Sequence, residues 1–346
     1  MSVFGKKGVL LVNLGTPDAP TRGAVYRYLK QFLLDPRVVD YPWLPRNLLV
    51  RGIIAPFRSG SSAKLYQQLW TEDGSPLKIY GEKVTAGVRE LLGDDYEVEL
   101  AMRYQKPSIE SAIDSLLKKQ VSELIVFPMF PQYASATTGS VHDEVMRVLR
   151  KQDTIPNVKM INSYFDNETM IDIFADNAQQ FDLNSYDHII FSYHGLPQRQ
   201  LRKGDITGQH CLKSGDCCQS ISKVNQFCYA AQCHATTRAI VDKLGLSPKR
   251  YTTAFQSRLG PEVWAQPYTS KVIENQAEKG AKRLLVFSPA FVADCLETII
   301  EIGIEYQEEF EEMGGEKVDL VPSLNDDPRW IQAVTEMVRQ NALQAV

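Results

Sequence analysis

Three stretches of this chain carry residue types that could do chemistry. The first is 188-HIIFSYHGLPQR-199, in which an apolar run ends in a Gly- and Pro-containing turn that holds His194. Ile189-Ile190-Phe191 reads as a short buried parallel strand, and Gly195 and Pro197 must end it. His194 therefore sits at a strand's carboxyl end, the edge where open α/β sheets bind ligands. The ordinary role of a histidine in such a turn is to hydrogen-bond its own loop. Its other role is that of a base near neutral pH. The second stretch holds carboxylates: Glu297, Glu301 and Glu305 recur every four residues, with Glu308 three further on. That spacing lines acids along one helix face, usually a solvated one. Glu297, however, lies among Phe291, Val292, Leu296, Ile299 and Ile300. Like charges at this spacing repel, so Glu297 and Glu301 suit a path for a divalent cation, whereas Glu308 suits solvent. The third stretch is 211–233, which contains Cys211, Cys217, Cys218, Cys228 and Cys233 out of six cysteines, the sixth being Cys295. In a reducing cytosol such clustering points to metal or redox chemistry rather than disulfides.

These residues need a scaffold, and the chain is long enough for one large or two medium domains. The net charge of −4 gives no footprint for nucleic acid. The apolar run ending at Val12 is too short for a signal-peptide core, and no window reaches spanning length. The expectation is a cytoplasmic protein with peripheral contact on the inner face of the membrane. Strands are expected at 8–14, 96–103, 123–128, 157–162, 188–193, 250–257, 283–289 and 317–322. Helices are expected at 22–34, 79–92, 107–119, 138–150, 167–180, 221–244, 267–279, 295–313 and 328–344. This alternation predicts an α/β fold of two similar Rossmann-like lobes, each a four-stranded parallel sheet flanked by helices. The lobes are expected at 1–165, with 325–346 packing back on it, and 166–324, with a Cys-rich insertion at 206–231. Neither first strand is followed by Gly-x-Gly-x-x-Gly, so a nucleotide is not the leading ligand. Residues 37–58 mix Tyr41, Trp43, Leu44, Leu48, Leu49, Ile53, Ile54 and Phe57 with Arg46, Arg51 and Arg58. They read either as an amphipathic helix on the core or as an apolar lip whose arginines meet carboxylates or lipid phosphates.

Seven segments in order resemble the ferrochelatases: 11-LVNLGTPDAP-20, 66-YQQLWTEDGSPL-77, 102-MRYQKPS-108, 131-PQYASATTGS-140, 192-SYHGLP-197, 255-FQSRLGPEVWAQP-267 and 290-AFVADCLETIIEI-302. The resemblance implies two chelatase-like lobes with a cleft between them. It also implies the last step of haem synthesis, in which ferrous iron, a substrate, enters protoporphyrin IX and two protons leave. His194 matches the family's central histidine and Glu297 the carboxylate facing it. The two share proton removal and iron ligation, with Glu301 on the iron path. Porphyrin contacts carry over to Leu14, Arg58, Tyr66, Ser75, Arg103, Tyr104, Tyr133 and Trp264, with Arg58 in a region of altered spacing. Cys295 stands where the family has a histidine or cysteine, and is expected to be a buried thiol.

Plain bacterial members resembling this chain run almost directly from Gly204-Asp205 to Gln232-Cys233. The segment between them here adds Cys211, Cys217, Cys218 and Cys228. Four thiolates suit a [2Fe–2S] cluster or a structural zinc. The resemblance to cluster-bearing ferrochelatases favours the former, with Cys233 a substitute ligand and His210 and His234 alternatives. Partners are then porphyrin, ferrous iron and other proteins of haem synthesis. Competing readings are a coproporphyrin III ferrochelatase, a cobalt chelatase acting on a corrinoid precursor, and a non-catalytic cluster or haem-binding protein.

Overall fold

The computed structural model describes residues 5–342. The chain divides into two compact units. The first comprises the residues up to Phe130, then Ser135–Ser163, and the residues from Asn325 onward; the second comprises Pro131–Ala134 and Tyr164–Leu324. Each is built on one four-stranded parallel sheet, in agreement with the fold class expected from the alternating pattern.

In the first unit the strands are β1 (Lys7–Gly15), β2 (Tyr96–Tyr104), β3 (Glu123–Pro128) and β4 (Asn157–Met160), in the order β2-β1-β3-β4. Every residue of β3 is buried while β4 is largely exposed, as a central and an edge strand should be. Ile109, Ile113 and Leu116 of helix Ile109–Lys118, and Val141, Val145 and Val148 of helix Ser140–Leu149, pack on Leu10, Val12, Leu124 and Val126. These helices offer apolar residues three and four apart, so one stripe meets the sheet. The terminal helix Pro328–Asn341 lies against helix Pro76–Leu92 in the same unit. A Cβ on Gly87 would come 2.7 Å from Ile331 Cγ2, so the contact needs glycine there.

The second unit repeats the layout with β5 (His188–His194), β6 (Tyr251–Gln256), β7 (Arg283–Phe287) and β8 (Lys317–Leu320), ordered β6-β5-β7-β8. Val272 and Ile273 from one helix and Tyr306 and Phe310 from another cover Ile190, Ala254, Leu284 and Val286. The repetition extends to detail. After β2, Gln105 takes φ 73°, and Met102 N–H donates to Pro107 O. After β6, Ser257 takes φ 64°, and Phe255 N–H donates to Pro267 O. A single residue, Lys106, separates the two landmarks in the first unit. In the second unit residues 258–266 do so, and they carry Trp264.

Two expected helices differ. The one expected at 221–244 begins only at Tyr229, and 206–228 is a series of turns. The Asp205 carboxylate accepts the N–H groups of Thr207, His210 and Cys211, and the Asn225 side chain bonds Ser222 N, Cys217 O and Ser220 O. Such local side-chain bonds compete successfully with a helix. The stretch expected at 295–313 is a π-helix, Leu296–Tyr306, continued by an α-helix, Gln307–Glu312. A shorter π-helix, Ser135–Gly139, follows β3 at the equivalent place. The expected end at 344 lies outside the described residues. Among the described residues no helix is long and apolar enough to cross a membrane.

Candidate active site

His194 closes β5 and stands beside Gln256 in the parallel ladder. The turn after it is stitched down. Gly195 N–H donates to Gln256 O at 2.9 Å, Ala265 N–H to Leu196 O at 2.8 Å, and Gln198 N–H to Val263 O at 2.9 Å. Arg199 Nε reaches both oxygens of Glu262 at 2.8 and 3.0 Å. A Cβ at residue 195 would come 2.8 Å from Gln256 O and 3.2 Å from Trp264 Cε3, so only glycine admits this approach. The turn thus fixes His194 and Trp264 together, both half-buried.

Glu297 lies in the first turn of the long π-helix. Its Oε2 accepts a hydrogen bond from Cys295 Sγ at 3.1 Å. Burial, reinforced by the neighbouring carboxylate, pushes the Cys295 thiol well up, so sulfur is a donor here. Cys295 is indeed a buried thiol, with the added task of holding Glu297. One turn on, Glu301 is held by three neutral donors: Gln256 Nε2 at 3.0 Å and Ser257 Oγ at 2.6 Å on Oε2, and Tyr306 OH at 3.3 Å on Oε1. The acids continue along the same stretch, with Glu305 in the π-helix and Glu308 and Glu309 in the α-helix that follows. Burial and the charge of Glu301 raise both Glu305 and Glu309. Glu308 is exposed.

Six of the expected porphyrin residues belong to the first unit. Leu14 is half-buried at the end of β1, and Thr16 Oγ1, two residues on, donates to Ser75 Oγ at 2.9 Å. Ser75 and Tyr66 are themselves buried, and Arg58 is exposed. Tyr104 is fully buried with its hydroxyl on Asp35 Oδ2 at 2.9 Å. Arg103 commits Nη2 to Asp35 at 2.7 Å and Nε to Ser140 Oγ and O at 2.7 and 3.0 Å. Nothing in the sequence marks Asp35 as the hub of this group. Asp35→Ala should cost about 2–4 kcal/mol in denaturant unfolding, because it takes the ion-pair partner from the largely buried Arg103 and an acceptor from Tyr104 and Ser140. Removing both charges, as Asp35→Leu with Arg103→Met, should recover part of that loss.

Tyr133 and Trp264 belong to the second unit. Tyr133 N–H donates to Gln232 Oε1 at 2.6 Å, and its ring meets Phe227 of the insertion edge-on at 5.9 Å. The insertion places three of its thiols, those of Cys211, Cys217 and Cys228, on a small pocket that Asp205 and His210 also line. Cys217 Sγ and Cys218 Sγ are 3.8 Å apart. Cys211 and Cys218 both donate to Cys228, and Ala231 and Ala230 N–H groups add to this, so the Cys228 thiol is pushed down to about 3. The same bonds push Cys211 and Cys218 up. Cys233 is fully buried and takes the Tyr229 hydroxyl. The His234 ring packs on Phe255. Among the described residues no group of three or more His, Cys, Asp or Glu side chains has the arrangement that holds a metal ion. The ligand shell expected for the cysteines is thus not preformed.

With this geometry in view, the sequence pattern of the ferrochelatase family matches residues 6–342. The chain belongs to the ferrochelatase family. It is 45% identical over 338 residues to a ferrochelatase of Coxiella burnetii, covering 97% of this chain and 94% of that one. It is 42% identical over 335 residues to a ferrochelatase of Legionella pneumophila, covering 97% and 99%. Among solved structures it resembles SirB from Bacillus subtilis with Fe3+, at TM-score 0.52 and 13% identity over 97% of this chain and 96% of that one, a likeness of fold. The reaction of this family member is iron chelation into a porphyrin for haem synthesis.

Proposed function

We propose that His194 and Glu297 together carry the insertion of ferrous iron into protoporphyrin IX, the reaction of a metal-chelating lyase. The observation that carries this is their tie through one residue: Gln256 pairs with His194 in the ladder and donates from its side chain to Glu297 O at 2.9 Å. An imidazole accepts protons near neutral pH, as loss of two pyrrole protons requires. Glu297 offers the metal a hard oxygen ligand, and Glu301 continues the row along which iron arrives. Leu14, Tyr66 and Ser75 are assigned to the macrocycle, supported by the Thr16–Ser75 bond at the end of β1. Arg58, Arg103, Tyr133 and Trp264 are assigned to it by resemblance. Anaerobic mixing with Zn2+ or Fe2+ and either protoporphyrin IX or coproporphyrin III, followed by metalloporphyrin absorbance, tests the reading. Faster turnover of coproporphyrin III would replace the substrate assigned here.

The insertion is assigned a [2Fe–2S] cluster on Cys211, Cys217, Cys218 and Cys228. The donor set fits: all four are sulfur and Cys228 is favoured as thiolate. Such a cluster supplies a clamp on the loop and a redox-sensitive group. Metallation itself needs no electron from it.

A surface of the first unit is assigned to the membrane face. Helices Trp43–Leu49 and Ala55–Leu69, joined through Val50–Ile54, bury Val50 and Ala55 against Leu33. The opposite side leaves Trp43 69% and Phe57 79% exposed, with Leu44, Leu48 and Ile53 also out. Exposed Arg51 and Arg58 flank them. Apolar side chains beside arginines suit an anionic lipid interface. Phosphatidylglycerol vesicles should sediment the protein, and the Trp43→Ser/Phe57→Ser variant should bind about tenfold more weakly. Equal binding by both would remove the assignment.

A further inference from the structure

Gln256 bonds the backbone of Glu297 and the side chain of Glu301 and stands beside His194 in the ladder. The residue is 2% exposed. Oε1 accepts Ser192 Oγ at 2.6 Å, two residues before His194 in β5. Nε2 donates to Glu297 O at 2.9 Å and to Glu301 Oε2 at 3.0 Å. Its backbone carbonyl accepts Gly195 N–H, the residue after His194. The amide is oriented by its partners, since a hydroxyl donor faces one end and two oxygen acceptors the other. Ser257 completes the arrangement. Its Oγ lies 2.6 Å from the same Glu301 oxygen, and its φ of 64° is a conformation that non-glycine residues seldom adopt. The same backbone turn recurs at Gln105, where no acid row follows. In the second unit the turn brings a hydroxyl and an amide onto one carboxylate oxygen.

We propose that Gln256 and Ser257 are positioning residues for the metal substrate. They aim Glu301 and set the spacing between the strand end bearing His194 and the helix bearing Glu297. Both act through Glu301 and Glu297 and neither touches the porphyrin. This inference rests on the assignment of His194 and Glu297 to iron insertion. Its consequence is selective: loosening the carboxylate should weaken capture of the cation while leaving the macrocycle's binding intact.

The test is steady-state kinetics of Gln256→Met and Ser257→Ala, with Zn2+ and protoporphyrin IX varied separately. Each should raise KM for Zn2+ about tenfold, the scale of one hydrogen bond to a charged group, with KM for protoporphyrin and kcat within about twofold. Ser257→Gly separates the hydroxyl from the backbone, because glycine adopts this φ freely. It should match Ser257→Ala. Wild-type behaviour of Ser257→Gly would trace the effect to strain and overturn the proposal, as would parallel changes in both KM values or an unchanged KM for Zn2+. If Gln256→Met does not fold, the two Ser257 variants decide. His194→Ala run alongside keeps the two ideas apart. Full activity there removes the underlying assignment, whereas an inactive His194→Ala with unshifted Gln256 and Ser257 variants removes this inference alone.

Discussion

His194→Ala should lower the rate of metal insertion by about 10²–10⁴-fold, the range for a positioned general base, with KM for protoporphyrin little changed. The expectation follows from where the residue sits. β5 is buried up to Tyr193, and only His194 at its end is partly open. The turn behind it is held by three backbone bonds and the Arg199–Glu262 pair. Removing the imidazole should therefore leave the backbone in place, and a loss of rate should not reflect a loss of fold. Circular dichroism and the melting temperature of the variant check that point. Glu297→Gln provides the complement. It keeps the shape that Cys295 packs against but removes the charge offered to iron, so KM for the metal should rise together with a fall in kcat. A folded His194→Ala enzyme that matches wild type would remove the imidazole from the reaction altogether.

The parts that could be read from sequence and the parts that could not differ for physical reasons. The central strands β1, β3, β5 and β7 are apolar runs of strand length, the signature of parallel strands buried on both faces, whereas the edge strands β4 and β8 are short and partly exposed. The place of His194 at a strand's end was legible because a strand and a Gly-Leu-Pro stop coincide within a few residues. The π-helix was not, because acids at four-residue spacing fit an α-helix equally well and register is decided by packing. Glu308, expected on a solvated face, is exposed. Tyr104 was expected at the macrocycle from the resemblance alone. Its burial depends on Asp35, which is remote in sequence and carries no local cue. Gln256 and Ser257 escaped notice for the same reason: an amide and a hydroxyl acquire meaning only from what they face.

Cys228→Ser should give the largest change outside the site. Among the four added cysteines, Cys228 stands at the start of helix Tyr229–Leu244, where Ala230 and Ala231 N–H groups and the thiols of Cys211 and Cys218 all point at its sulfur. A thiolate is the form that binds metal, so this position should take metal first. The helix it opens bonds the rest of the second unit through Thr237 to Tyr193, the neighbour of His194, and through Gln232 to Tyr133. Losing the ligand should therefore free 206–228 and loosen the strand end as well. Anaerobically purified wild-type protein should be coloured, with iron and sulfide in equal amounts; Cys228→Ser should be colourless, melt several degrees lower and lose most of its activity. Cys233→Ser should stay coloured, since that thiol is buried against Tyr229. A colourless wild type holding zinc would replace the cluster with a structural metal on the same sulfurs. A colourless wild type holding neither metal would leave the four thiols to the loop's own hydrogen bonds, and the Cys228→Ser variant should then fall in stability by only about 1–3 kcal/mol.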